Sequence, residues 1–280
     1  MSLKHFSLLA TITAVLLVAV NCGILTQHAD SVPENCLKRK PIQSNYTPEG
    51  SEITLGNLTI YETTEKNSTR LIISIYDAFG FSNNNVKEVA DRLSKVQGGF
   101  RVIVPDFYRG EFWHGDPDVF PPPDMEDLLA WLEEVGSWED RVQWDLINIV
   151  EHYRAEGVEE FAVYGMCWGG TMSLLASIYL PDYLRVAAYI HPTLIPDELA
   201  PAVRIPTFLM PTMEDPDLTQ FYEILRQNFG NNTAHWRFED MLHGFASARG
   251  DFSDPRTALR IEEMINLLGF FFNRILNIGK

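Results

Sequence analysis

The segment FAVYGMCWGG, residues 161–170, ends an apolar run in a turn with three glycines around one cysteine. A glycine-rich corner between a buried strand and a helix holds a nucleophile on strained backbone, clear of its neighbours and next to the helix N-terminus. Gly165 and Gly169 stand two residues either side of Cys167, where a Cβ would collide with the strand or with the helix behind it. The backbone N–H of Trp168 can then face a developing oxyanion, and the first turn of the helix favours negative charge on the sulfur. The chemistry this arrangement offers is attack of a thiolate on an acyl carbon.

A thiolate nucleophile needs a proton acceptor, and that base needs an acid to orient it. In doubly wound hydrolases the two follow the nucleophile in the order acid, then histidine. Downstream, IPTFLMPTMEDPD is an apolar strand running into Glu214, Asp215 and Asp217, and FEDMLHGFA places His243 in a loop after the next extended run. Asp215 is the candidate acid, while Glu214 and Asp217 also fit the part of ordinary solvated loop charges. Of the seven histidines, His191 in YIHP competes with His243 for the role of base, but it precedes the acid loop in the chain. All of these positions fall at the carboxyl ends of strands, where open parallel sheets gather their catalytic groups.

The elements that must position these residues follow from an alternation of short apolar runs with longer amphipathic ones. The runs EITLGNLTIYE, LIISIY, RVIVP, FAVYG, RVAAYI, TFLMP and AHWRFE read as strands, and all but the first and last are nearly free of polar residues, as strands buried on both faces should be. Helical spacing falls near residues 86–96, 124–134, 140–155, 171–180, 218–228 and 255–273. The fold class predicted is α/β, with a mostly parallel central sheet and helices on both faces. The proline-rich stretch EFWHGDPDVFPPPDMED reads as a surface loop feeding the second helix. The domain expected spans residues 51–280, preceded by an extension over 24–50.

Composition narrows the function classes. A formal charge of −16 without a basic stripe argues against a nucleic-acid partner. Residues 1–23 combine a basic start, an apolar stretch too short to span a bilayer and small residues near Gly23, the pattern of a secretory signal peptide. This predicts a secreted protein with no stable membrane partner, and the N-x-S/T sequons at Asn45, Asn57, Asn67 and Asn231 fit glycosylation in that compartment. With Cys22 removed in the signal, Cys36 and Cys167 remain, too few for a disulfide framework; either they pair or each has its own role. There is no HExxH, zinc spacing, P-loop or dinucleotide fingerprint, so the expected chemistry needs no metal or cofactor.

Taken together, YDAFGF, VPDFYRGE, WEDRVQWDLINIVEHYRAEGVEEFAVYGMCWGG and HGFASARGDFSDP resemble the dienelactone hydrolase family, the carboxymethylenebutenolidase-like branch of the α/β-hydrolases. The resemblance covers about residues 36–275, with the cysteine-bearing turn and the HGF loop as its most specific parts. It implies a triad of Cys167, Asp215 and His243 and a second oxyanion N–H from Ala78. It also implies an acid beside the thiol at Asp77, where members often carry glutamate, and a substrate carboxylate met by Arg109 and Arg249, both offset from the family pattern. The activity implied is hydrolysis of a small-molecule ester or lactone; a secreted binding protein of the same fold without turnover is the alternative. Phe79, Phe107, Tyr108, Trp113 and Trp168 are near enough to these positions to line an apolar pocket or to pack the core.

Overall fold

The first extended run folds back on itself. β1 (Ser51–Leu55) and β2 (Leu58–Glu62) are antiparallel, with Leu55 paired to Leu58 across a two-residue turn. Gly56 supplies the left-handed φ of 62° that such a hairpin turn wants at its first position, so the single strand expected over 52–62 is two. The computed structural model of the chain describes residues 40–42, 44–115 and 125–277. The signal segment, Cys22, Cys36 and the proline run within the expected surface loop lie outside the described residues.

The remaining strands are β3 (Arg70–Ile75), β4 (Arg101–Pro105), β5 (Glu160–Met166), β6 (Val186–Ile190), β7 (Thr207–Met210) and β8 (Ala234–His235). The sheet runs β1-β2-β4-β3-β5-β6-β7-β8 and is parallel from β4 onward, with β2 antiparallel to β4. Leu71, Ile72, Ile73, Val102, Ile103, Val163 and Val186 are fully buried, because helices cover both faces and leave no solvated side to alternate with. The last expected strand is the exception. Only Ala234 and His235 pair with β7, followed by an isolated bridge between Thr212 and Phe238.

The helices are α1 (Asn84–Ser94), α2 (Met125–Gly136), α3 (Gln143–Ala155), α4 (Trp168–Tyr179), α5 (Thr219–Phe229) and α6 (Pro255–Leu276). A π turn, Trp138–Val142, leads into α3. Two starts show why the chain turns helical there. Asn83 accepts a hydrogen bond from the Asn85 amide at 2.9 Å, and Asp254 accepts from Thr257 at 2.8 Å ahead of Pro255 in the first turn.

Residues 39–280 cluster as one compact unit. The tail of the expected extension is knitted into it: Ile42 N–H donates to the Ala248 carbonyl at 2.7 Å, the Tyr46 hydroxyl to Asp91 at 2.9 Å and Gly50 N–H to the Tyr61 hydroxyl at 2.7 Å. The mostly parallel sheet between helix layers is the α/β-hydrolase architecture. Among the described residues, no helix is long and apolar enough to cross a membrane.

Candidate active site

Cys167 sits between β5 and α4 at φ 57°, a left-handed value that a non-glycine residue adopts only under constraint. The constraint is local and specific. Its N–H donates to the Ile190 carbonyl of β6 at 3.2 Å, and its carbonyl accepts from Gly170 at 2.9 Å and Thr193 at 3.2 Å. A Cβ on Gly165 would strike the Gly169 carbonyl, and one on Gly169 would strike the carbonyls of Ile75 and Tyr76. We expect Gly165→Ala to destabilise the protein by about 3 kcal/mol in urea denaturation, the upper range for forcing an extra methyl into a packed interior. An unshifted midpoint would show that the turn can relax.

The acid and base come from two distant loops. Asp215, at the end of β7, accepts from the amide of Thr212 at 2.6 Å and from its hydroxyl at 2.8 Å through Oδ2. Its Oδ1 accepts from His243 Nδ1 at 2.6 Å, and the Cys167 side chain is among the groups that act electrostatically on the same imidazole. Burial disfavours the charged imidazole, but the charges of Asp215 and Cys167 outweigh it and hold the His243 pKa well above its ordinary value. Burial likewise disfavours ionised Asp215; the positive charge on His243 overrides it, and the carboxyl titrates lower than usual.

The rival loop acids have other partners. Glu214 accepts from the backbone N–H of His243 at 2.8 Å, so it is half-buried and anchors the histidine loop instead of being a solvated charge. Asp217 is exposed and binds the amide and hydroxyl of Thr219 at the start of α5. Arg237 braces the acid loop from outside, donating to the carbonyls of Asp215 at 2.8 Å, Pro216 at 3.1 Å and Met213 at 3.2 Å. Neither Glu214 nor Arg237 carries a sequence signal for these roles, since each acts through the backbone of another segment.

Trp168 directly follows Cys167 in the chain, and Ala78 lies in the loop after β3. Trp168 is the first residue of α4, where an N–H has no acceptor within the helix. Ala78 follows β3, and its carbonyl accepts from Trp113 at 3.2 Å. The side chains of Tyr76 and Trp168 stack at 6.1 Å, and Tyr108 packs on Trp168 at 4.7 Å. Phe107, Tyr108 and Trp168 are therefore core, while Phe79 and Trp113 are partly buried beside Trp131 of α2. Asp77 is also buried, and both of its oxygens are in use, accepting from Phe79 N–H and from Ala248 N–H at 2.9 Å each. It clamps the Ala78 loop to the loop that carries His243. Cys167 is a free thiol, and no group of three or more potential metal ligands occurs among the described residues.

Residues 58–274 match the sequence profile of the dienelactone hydrolase family. The chain belongs to this family. It is 30% identical to an uncharacterised AIM2 family protein of Schizosaccharomyces pombe over 83% of this chain and 94% of that one. A carboxymethylenebutenolidase homolog of Homo sapiens is 28% identical over 44% of this chain and 47% of its own length. The fold is shared with the crystal structure of a dienelactone hydrolase from Anabaena variabilis, at a TM-score of 0.52 and 13% identity, covering 85% of this chain and all of that one. Membership carries a hydrolase-type role.

The family pattern implied two arginines for a substrate carboxylate, and the structure gives them other surroundings. Arg109 donates to both oxygens of Asp145, at 2.7 and 2.9 Å, and to the Phe107 carbonyl at 2.9 Å. Its guanidinium is held by Asp145 of α3 in an ion pair. Arg249 stays with the histidine loop, its stem along Gly244 and its Nη1 directed to the His243 carbonyl at 3.4 Å. Arg109→Gln should cost about 1–2 kcal/mol of stability, a buried-pair loss discounted for an arginine side chain that is 24% exposed, with KM for a neutral ester unchanged. Denaturation and steady-state kinetics on the same preparation check both; a large KM increase without destabilisation would return Arg109 to the substrate.

Proposed function

We propose that this protein hydrolyses small esters or lactones through a thioester on Cys167, with His243 as base and Asp215 as its orienting acid. The observation that carries the reading is the 2.6 Å Asp215–His243 hydrogen bond, with Cys167 among the groups that raise the pKa of that same imidazole. His243 takes the thiol proton, and the thiolate adds to the acyl carbon while the amides of Ala78 and Trp168 meet the oxyanion. The leaving alkoxide departs with the proton held by His243. A water molecule, deprotonated by the same imidazole, then attacks the thioester, and the thiolate leaves as the carboxylic acid is released.

Rapid quenching with a small aryl acetate should leave an acetyl group on Cys167, located by peptide mass spectrometry. Turnover without an adduct at any time would remove the covalent mechanism; saturable binding without product would favour the non-catalytic alternative. The leader sequence and the exposure of Asn45, Asn57, Asn67 and Asn231 support a secreted glycoprotein. Glycosidase treatment of protein collected from the medium of eukaryotic cells should increase its gel mobility, and unchanged mobility would overturn that part.

A further inference from the structure

His191 follows β6 at the carboxyl end of the parallel strands, the end at which Cys167 follows β5. It is a non-glycine residue at φ 34°, fixed by its N–H donating to the Met210 carbonyl at 2.9 Å. Its imidazole is fully buried, and neither ring nitrogen has a hydrogen-bond partner. The ring stands edge-to-face with His243, centroids 4.9 Å apart at 65°, and Phe245 lies 6.0 Å away. Each of the first two features costs stability: a glycine would relieve the backbone, and a phenylalanine would bury no unsatisfied nitrogen. Histidine combines an aromatic ring with tolerance of the left-handed region, which bulkier aromatic residues lack.

We propose that His191 is a positioning residue whose ring braces the His243 imidazole, holding one edge on Asp215 and directing the other to Cys167. The inference rests on the reading of Cys167 and His243 as nucleophile and base. Burial, with the charge of His243 beside it, pushes the His191 pKa down to about 3, so the brace is uncharged wherever His243 works. The charged groups that face it are His243, Asp215 and Arg249. A cationic ring there would repel the imidazolium; a neutral one packs against it in the preferred edge-to-face arrangement.

The test is the rate of Cys167 alkylation by iodoacetamide across neutral pH, with kcat and KM for an aryl ester, in folded variants verified by thermal melting. His191→Asn keeps a side chain suited to the left-handed backbone but removes the ring, and His191→Gly removes the strain as well. Both should slow alkylation and kcat by about tenfold or more with little change in KM, the scale of loss from a small misplacement of a reacting group. His191→Phe, where it folds, should recover most of the rate. Wild-type alkylation in folded His191→Asn and His191→Gly overturns the proposal, as does a folded His191→Phe as slow as His191→Asn. Equal alkylation in wild type and His243→Ala would instead sink the underlying reading of the Cys167–His243 pair.

Discussion

Cys167→Ala is expected to lower hydrolysis of small aryl esters by at least about a thousandfold, because the proposed thioester forms on the Cys167 sulfur. The effect should fall on kcat. The substitution removes one sulfur from a side chain already 5% exposed and keeps the same backbone strain at φ 57°, so the melting temperature should change little. The substitution leaves the backbone amides of Ala78 and Trp168 in the chain, so ligand binding should stay measurable when turnover is gone. Hydrolysis at the wild-type rate, with the variant confirmed by mass, would show that Cys167 is a structural thiol.

Asp215→Asn should be nearly as severe, with kcat falling about 10³–10⁴-fold and KM close to unchanged. The buried carboxylate accepts on both sides, from Thr212 and from His243, and an amide must turn its NH2 toward one of these donors. The imidazole then loses its tautomer and its orientation. The electrostatic consequence has a definite sign. Burial opposes the His243 imidazolium, and Asp215 leads the charges that overcome it; with asparagine there, burial gains weight and the His243 pKa moves down.

Stability follows the same logic. Raising the pKa of His243 gives stabilisation that is complete below the ordinary imidazole range near pH 6.5 and is lost as pH rises through the raised value. The lowered pKa of Asp215 gives stabilisation present above about pH 4 and lost as pH falls through its folded-state value. Between these limits the pair's contribution is complete and constant, so Asp215→Asn should flatten the fall in melting temperature on either side, below about pH 4 and above about pH 6.5. A pH profile identical to wild type would mean that the pair does not titrate with folding.

Much of the scaffold was legible along the chain because burial on both faces selects uninterrupted apolar runs, as in LIISIY and RVIVP. The cysteine turn was legible for a related reason: glycines were needed where backbone meets backbone, at Gly165 and Gly169. Chain order also separated His243 from His191 as the candidate base, yet gave no hint that the two rings pack together. The hairpin inside residues 52–62 was misread as one strand because β-prone runs close on Gly56 and Asn57 from both sides and only these two residues mark the turn. The last strand was overextended because its ladder with β7 ends at His235 and returns only as a single bridge at Phe238, with Trp236 between them exposed.

By itself, the sequence determined the α/β architecture and the candidate nucleophile, since both arise from patterns a few residues long that local backbone geometry and burial impose. Only the tertiary structure decided the partners of the charged and polar groups: Arg109 with Asp145, Asp77 with the amide of Ala248, Glu214 with the amide of His243, and His191 against the His243 ring. A side chain with hydrogen bonds to make takes the complementary group nearest in space, and that group arrives from wherever the folded sheet brings distant loops together.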